Sequence, residues 1–395
     1  MEQRRTAVTT TEFAWDAVEL LAHAVRHAAE RPSPAVGTEH LLVALLGDTE
    51  EPGAALVPGG RESGAIRGQI RARDEQNWAR DDAGDEGVGA VPEDDEVEVT
   101  AVWREALWSA NRSRREDAAP APRPSEALRR TLLGALRLAR EEGAPDAHER
   151  HLARALLDVR ESRALEALSL RRVDMAASAA ALDAQAEAVR AGGEPWPAEA
   201  AGARGAVRVL RSAGLLGERG VWWTRGMMTW LARTSGDGSP VVLVLCNEAQ
   251  RQSVRHGRTE TEPVDLLLAV LALDRGLTVA GLSLPEDLLP VNSAADALRS
   301  AGVHESDLFR AAAAAAGPSP QAAVPSGPKR SVATDKTVAA ARLLAADRKD
   351  RTVGTTHILT ALLATGDDAT TALLTENGVN PELLRTRLEA TAGAA

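Results

Sequence analysis

Two groups of histidines in this sequence have spacings at which proteins bind metals. His23 and His27 are four residues apart, so on a helix they would share one face, as two metal ligands can. A second pair lies in the run His148-Glu149-Arg150-His151. This run is not the H-E-x-x-H motif of zinc hydrolases, and neither pair has a third ligand at a regular spacing. We therefore expect surface histidines, no metal, no cofactor and no catalytic residues. A metal- or carboxylate-dependent hydrolase is the alternative.

Motifs for other common chemistries are also missing. The sequence has no G-x-S-x-G nucleophile elbow and no G-x-x-x-x-G-K-[ST] phosphate-binding loop. Its single cysteine, Cys246, follows the apolar run 241–245 and is predicted to be buried and unreactive. The formal net charge is −11 and no basic domain occurs, which argues against a nucleic-acid partner. These features favour a protein that binds rather than catalyses.

The strongest pattern in the sequence is a phrase that occurs near both ends. Val36-Gly37-Thr38-Glu39-His40-Leu41-Leu42 is matched by Val353-Gly354-Thr355-Thr356-His357-Ile358-Leu359. Two copies that match the phrase less closely begin at His148 and Pro263, and the second has Asp265 at the histidine position. Such matches indicate an internally repeated unit. The threonine is predicted to cap a helix, and the histidine to be packed and hydrogen-bonded where repeats meet.

The elements that carry these residues are predicted to be helices. The apolar content is mostly Ala, Leu and Val, while Tyr is absent and only two Phe occur. Ala and Leu are strong helix formers, and residues that favour strands are scarce, so we expect an all-α protein. Its length of 395 residues allows two or three domains.

Changes in composition predict two domains. The first is 1–190, with repeats at about 9–80 and 125–190. Between them, 81–98 is predicted to be an acidic linker, followed by an additional helix from Thr100 to Arg115. The second domain is 195–395, with repeats at about 240–312 and 331–392.

An insert at 205–235 is rich in tryptophan and methionine. The favoured interpretation is an additional helix that packs between the two domains. The alternatives are a partner-docking surface and a peripheral membrane scaffold, because these residue types are frequent at binding surfaces and membrane interfaces. The residues concerned are Trp222, Trp223, Met227, Met228 and Trp230.

The sequence also predicts a cytoplasmic location. Met1 to Arg5 is not followed by an apolar run of the kind that forms a signal peptide. The most apolar region, 221–246, is interrupted by charged residues and glycines. It therefore lacks the roughly 20 apolar residues of a spanning helix, and we expect no integral membrane association.

The repeated phrase, together with the closing run Gly378-Val379-Asn380-Pro381, resembles the Clp repeat. This repeat builds the N-terminal domains of unfoldases of the ClpC and ClpA type, in which two repeats pack about a pseudo-twofold axis. The resemblance implies two tandem pseudo-twofold helical domains, each built from two Clp-type helical repeats, without the AAA+ ATPase modules. In the family, this domain binds adaptors, degrons and unstructured substrates.

Some members of the family recognise phosphorylated arginine through the glutamate of the phrase in both repeats. Here Glu39 keeps that residue, while the matching positions hold Arg150, Val264 and Thr356. Glu39 is therefore a candidate for recognising a charged group, but the favoured interpretation is a first-turn residue that interacts with the helix dipole.

The family's binding site for cyclic peptide antibiotics lies on the exposed side of the first helices of the two repeats. The resemblance places Phe13, Leu20, Leu21 and Ala24 there in the first repeat. The matching stretch of the second repeat has Pro124 where the family has an aromatic residue. Its other candidate ligand contacts are Arg129, Leu133 and Leu136. For any single one of the leucines in these two stretches, a place in the hydrophobic core is the favoured interpretation.

These features together predict a non-enzymatic, ATP-independent protein that binds degron-like or cyclic peptides. It could be a decoy that sequesters Clp-targeting peptide antibiotics, or a regulator that competes for the adaptors, the substrates or the unfoldase of a Clp protease.

Overall fold

The computed structural model describes residues 12–30, 33, 35–48, 51–57, 60–73, 78–80, 82, 91–112, 122–191, 205–216, 239–316 and 327–392. Within these ranges the protein is all-α, which confirms the predicted fold class. They contain eighteen α-helices, two short 3-10 helices and six strands of two residues each. The chain divides into two compact units, 1–200 (unit 1) and 201–395 (unit 2).

Unit 1 contains two runs of helices separated by a single long helix. The first run is α1 (Trp15–Ala29), α2 (Thr38–Asp48), α3 (Glu51–Leu56) and α4 (Gly60–Ala72). The separating helix is α5 (Glu93–Asn111). The second run is α6 (Glu126–Glu142), α7 (Glu149–Asp158), α8 (Arg163–Leu170) and α9 (Met175–Ala191).

Short strands tie the two runs of unit 1 together in a reciprocal way. β1 (Glu12–Phe13) precedes α1 and pairs in parallel with β4 (Asp146–Ala147), which precedes α7. β3 (Arg123–Pro124) precedes α6 and pairs in parallel with β2 (Ala35–Val36), which precedes α2. Each run therefore supports the second helix of the other, as a pseudo-twofold arrangement requires.

Unit 2 has the same order of long helices. It contains α10 (Gly205–Ser212), α11 (Pro240–Arg255), β5 (Glu260–Thr261), α12 (Pro263–Val279), 3-10 helices at Glu286–Leu288 and Pro290–Asn292, α13 (Ala294–Ser300), α14 (Glu305–Ala316), β6 (Lys329–Arg330), α15 (Val332–Asp347), α16 (Thr355–Thr365), α17 (Asp368–Glu376) and α18 (Pro381–Ala392). β5 pairs in parallel with β6. The Ser239 hydroxyl donates to the Val353 carbonyl (2.6 Å), so unit 2 also has links in both directions.

Local sequence explains where the long helices begin. In α6, the Ser125 hydroxyl accepts the Leu128 N–H (3.1 Å), and in α15 the Ser331 hydroxyl accepts the Thr334 N–H (3.2 Å). Both serines are N-caps, which satisfy a donor that a helix start leaves unpaired. Ser125 and Ser331 are therefore equivalent positions, and aligning them allows α6 and α15 to be compared residue by residue.

The glycine of the repeated phrase is required by close packing. A Cβ atom at Gly354 would lie 2.1 Å from the carbonyl oxygen of Val291. At Gly37 it would lie 2.1 Å from the carboxylate oxygen Oε2 of Glu39. The glycine therefore lets another group approach the start of α2 and of α16.

Each unit has its own hydrophobic core, built where the first long helix of each run packs on the second. These pairs are α1 with α2, α6 with α7, α11 with α12 and α15 with α16. The leucines of the repeated phrase lie inside, since Leu41, Leu42 and Leu45 are 0 % exposed. No helix in the described part of the chain is both long and apolar enough to cross a membrane.

The predicted linker at 81–98 is wrong at its C-terminal end. Helix α5 begins at Glu93 rather than Thr100, and Asp95 and Glu98 are buried. The acidic residues that suggested a solvated linker occupy the first turn of this helix, where the dipole favours negative charge. The helix ends at Asn111 rather than Arg115.

Candidate functional site

The side chains that the resemblance assigns to a ligand face lie inside unit 1. Phe13, Leu21 and Leu136 are at most 1 % exposed, Leu20 is 3 % exposed and Leu133 is 9 % exposed. Ala24 is also fully buried. The burial of the leucines agrees with the interpretation that they are core residues. The role of these side chains as ligand contacts stays a prediction.

Helix α5 explains this burial because it packs on β1, α1 and α6. Its side chains Val99, Val102, Trp103, Ala106 and Leu107 belong to the same core as α1 and α6. The face that was expected to be open to a ligand is thus covered by a helix of the same chain.

Polar contacts hold α5 at several points. The Phe13 N–H donates to Oε1 of Glu98 (3.1 Å), and the Ser109 hydroxyl donates to Oε1 of Glu19 (2.7 Å). Two arginines of α6 also form ion pairs with α5: Arg129 pairs with Glu96, and Arg140 pairs with Asp95. Arg129, whose role as a ligand contact stays a prediction, is thus a partner of α5.

Glu39 lies in the first turn of α2, as expected, and is 3 % exposed. Its Oε1 accepts from Nη1 of Arg163 (3.0 Å) and lies 3.4 Å from Nδ1 of His40, while its buried Oε2 has no hydrogen-bond partner. The chain thus supplies a guanidinium to this carboxylate from α8. A charged ligand would have to compete with Arg163 for Glu39.

A second acidic residue in this cluster was missed by sequence reasoning. Asp82 is 2 % exposed and accepts from the N–H of Thr38 (3.0 Å), the Thr38 hydroxyl (2.6 Å) and the Arg163 N–H (3.2 Å). The Ser125 hydroxyl also donates to Asp82. Asp82 therefore joins the starts of α2, α6 and α8. It resembled one more charge of the acidic linker, and nothing in its neighbours marked it.

Burial, together with the charge of Asp82, raises the pKa of Glu39 to about 7, although Arg163 lowers it. Since the folded pKa exceeds the ordinary value of 4.5, folded unit 1 holds more protons than the unfolded chain between these values. The contribution of Glu39 to stability therefore falls as pH rises through this window.

We expect Glu39→Gln to remove this contribution and to keep those of the other titrating groups. Relative to the variant, the wild-type unit should therefore lose up to about 3 kcal/mol of stability between pH 5 and pH 8. Native-state hydrogen exchange of α2 amides in the full chain measures the free energy of unfolding at each pH. Glu126→Gln, at a half-exposed position on α6, is the control and should keep the wild-type slope. Equal slopes for wild type and Glu39→Gln would contradict the assignment.

The histidines of the phrase are packed and hydrogen-bonded, as predicted. The N–H of Gly37, His148 and Gly354 donates to Nδ1 of the histidine three residues later, at 3.0, 2.8 and 3.1 Å respectively. Burial lowers the pKa of His40 and of His151 to about 4, so both rings are neutral near pH 7 and their Nδ1 atoms can accept.

Asp265 accepts the same backbone hydrogen bond as the histidines, but it is a carboxylate and its partner is a cation. Its Oδ2 accepts the Glu262 N–H (2.9 Å), as the histidine ring does elsewhere. Where His151 and His357 face Glu142 and Asp350, Asp265 faces Arg258. In this copy the histidine is replaced by Asp265 and its acidic partner is replaced by Arg258. The two side chains therefore still attract each other, which explains how this copy tolerates the change.

The remaining candidates do not build a chemical site in the described residues. There, no group of three or more His, Cys, Asp or Glu side chains is placed to hold a metal ion. His23 and His27 are half-buried on α1 rather than exposed. Cys246 is buried, as predicted, and its Sγ lies 3.4 Å from Nη1 of Arg330. The insert residues Trp222, Trp223, Met227, Met228 and Trp230 lie outside the described residues.

The first long helices of unit 2 differ from each other. Helix α11 is buried along most of its length, with α10 packed on it. Helix α15 instead exposes apolar side chains: Val332 is 73 % exposed and Leu343 is 68 % exposed. With Ala339, which is also exposed, they lie along one side of the helix, at intervals of seven and four residues.

A family comparison assigns this part of the chain. The model of the Clp repeat N-terminal domain matches residues 288–377 and residues 329–393. Residues 288–393 thus form a Clp repeat region. No curated protein and no solved structure matches the chain.

The matched region runs from the end of the first 3-10 helix of unit 2 to α18. It contains His357 and the exposed face of α15. The count of two double-repeat domains stays a prediction, which the reciprocal strand pairing of unit 1 supports.

Proposed function

We propose that this protein is an ATP-independent binding module of the Clp N-terminal type, which binds degron-like or cyclic peptides. The observation that carries the proposal is the Clp repeat match over residues 288–393, because Clp N-terminal domains are modules of the substrate-binding type. The match itself does not specify the class of peptide, which is part of the proposal.

The exposed side of α15 supports the proposal physically. Val332 and Leu343 are large apolar side chains left in water on a folded domain. A few apolar side chains in a row can anchor a peptide, because their burial on binding supplies most of the affinity at small interfaces. Lys336, which lies within this row between Val332 and Ala339, and the neighbouring Arg342 are also exposed and could orient a polar peptide group.

Calorimetry on the full chain with an apolar cyclic peptide that targets Clp unfoldases tests the proposal. We expect a binding heat and a thermal shift. Leu343→Asp should weaken binding by at least about tenfold, because it places a charge where the peptide would bury apolar surface. Leu383→Asp on α18, where the native side chain is 51 % exposed, is the matched control and should leave binding unchanged.

Absence of heat and of thermal shift, with the cyclic peptide and with unstructured degron peptides alike, would refute the proposal. The two biological roles separate in a coupled assay with a Clp unfoldase. A decoy restores the activity of a peptide-inhibited unfoldase at stoichiometric ratios. A regulator lowers adaptor-dependent degradation when no antibiotic is present.

A further inference from the structure

Helices α6 and α15 occupy equivalent places in their units but differ in what covers them. Both follow a parallel two-residue strand and begin at a serine N-cap, and both are followed by a histidine of the repeated phrase. In this register Leu133 and Leu136 of α6 correspond to Ala339 and Arg342 of α15. The first two side chains are buried, and the second two are exposed.

Helix α5 is responsible for the difference. Its apolar side chains enter the core between α1 and α6, and Trp103 is only 2 % exposed. Arg140, which pairs with Asp95 of α5, corresponds to the exposed Ala346 of α15. The face of α6 thus carries residues that bind α5, and the equivalent face of α15 lacks them.

We propose that α5 is a resident helical ligand of unit 1, which closes the face formed by α1 and α6. An external amphipathic segment can bind there only after α5 leaves. The inference rests on the proposed function, because it assigns to unit 1 a receiving face of the same kind and states how that face is regulated.

The contacts of α5 indicate how it would leave. The apolar side chains make the bound state stable. The pairs Asp95–Arg140 and Glu96–Arg129 lie at the partly exposed edge, where the arginines are 32 % and 34 % exposed. These edge pairs can be broken without creating a cavity in the core. A competing segment would therefore need an acidic first turn followed by a largely apolar helix, since nearly every residue of α5 from Ala101 to Asn111 is buried.

Hydrogen exchange on the full chain provides the test. In the wild type, α5 amides should exchange through a local opening that leaves α2 and α7 protected. Arg140→Asp should speed exchange across 93–111 by about tenfold or more, because it sets a carboxylate against Asp95. Arg140→Asp combined with Asp95→Arg should bring the rate most of the way back. Arg137→Asp, on the same helix with a side chain 59 % exposed and paired with Glu141, should leave the rate unchanged.

A labelled peptide of residues 91–112 gives a second readout. It should bind Arg140→Asp only weakly, because the peptide keeps Asp95. The same peptide with Asp95→Arg should bind that variant at least about tenfold more tightly than it binds the wild type, whose face is closed. Exchange of α5 only through global unfolding of unit 1, or equal peptide binding by both proteins, would overturn the inference. Because this test uses no Clp-targeting peptide, its failure is distinct from failure of the proposed function.

Discussion

Replacing Asp82 with alanine should destabilise unit 1 by about 3 to 5 kcal/mol. The carboxyl group accepts from Thr38, Ser125 and Arg163, and it is buried. Its removal leaves these donors unsatisfied in the interior, and each costs about 1 to 3 kcal/mol. In addition, the backbone at Asp82 has φ of 57°, a left-handed conformation that alanine adopts less readily than aspartate.

Asp82→Asn is the comparison, and it should cost about 1 to 3 kcal/mol. Asparagine tolerates a left-handed backbone and keeps one acceptor oxygen, but its NH2 group faces the donors that the other oxygen of Asp82 accepts. Unit 2 already uses this solution, since Oδ1 of Asn292 accepts the Thr355 N–H at 3.0 Å. Native-state hydrogen exchange of α2 amides measures the loss, and α16 amides in unit 2 should not change. Equal effects of alanine and asparagine would show that the hydrogen bonds of Asp82 add little.

The sequence was sufficient to predict the fold class and the type of domain. Helix formers dominate the composition, and the phrase with its glycine, threonine, histidine and leucines recurs at the start of α2 and of α16. These residues act locally: the glycine permits close approach, the histidine closes the first turn, and the leucines fill the core. Residues that interact with near neighbours must occur in a fixed order along the chain, and such a pattern can be recognised in a single sequence.

The exposure of the candidate site could not be predicted in the same way. Leu20, Leu21, Leu133 and Leu136 have the spacing of a helix face, but the sequence does not state which element will cover that face. The covering helix α5 begins with four consecutive acidic residues, 93–96. Such a run is as typical of a solvated linker as of a helix N-terminus. Only the later Trp103 and Leu107 showed that this segment had an apolar side to bury.

The same limit applies to Glu39 and Asp82. Their importance depends on Arg163 and Ser125, which are distant in the sequence and meet them only in the fold. The phrase marked Glu39 as a possible recognition residue, and the structure shows that Arg163 pairs with it inside the unit. The roles of Glu39 and Asp82 are thus set by tertiary contacts, whereas the histidines of the phrase close the first turn of their own helices.

Trp103→Ala should be the most damaging single change in α5, with a loss of about 3 to 5 kcal/mol in unit 1. The indole is among the largest fully buried side chains in the described part of the protein, and it lies in the core that α1 and α6 share. Truncation would leave a large cavity beneath α5. Exchange of amides in 93–111 should rise far more than it does in Arg140→Asp, and α1 amides should lose protection with them.

Trp103→Phe separates packing from hydrogen bonding at this position. The buried indole Nε1 has no hydrogen-bond partner, so the wild-type residue carries an unsatisfied donor. Phenylalanine loses some apolar area but removes that donor, and we expect a net change of about 1 kcal/mol or less. A loss as large as that of alanine would mean that Nε1 is hydrogen-bonded in solution. A small loss would show that α5 is held mainly by the shape and the apolar surface that it buries.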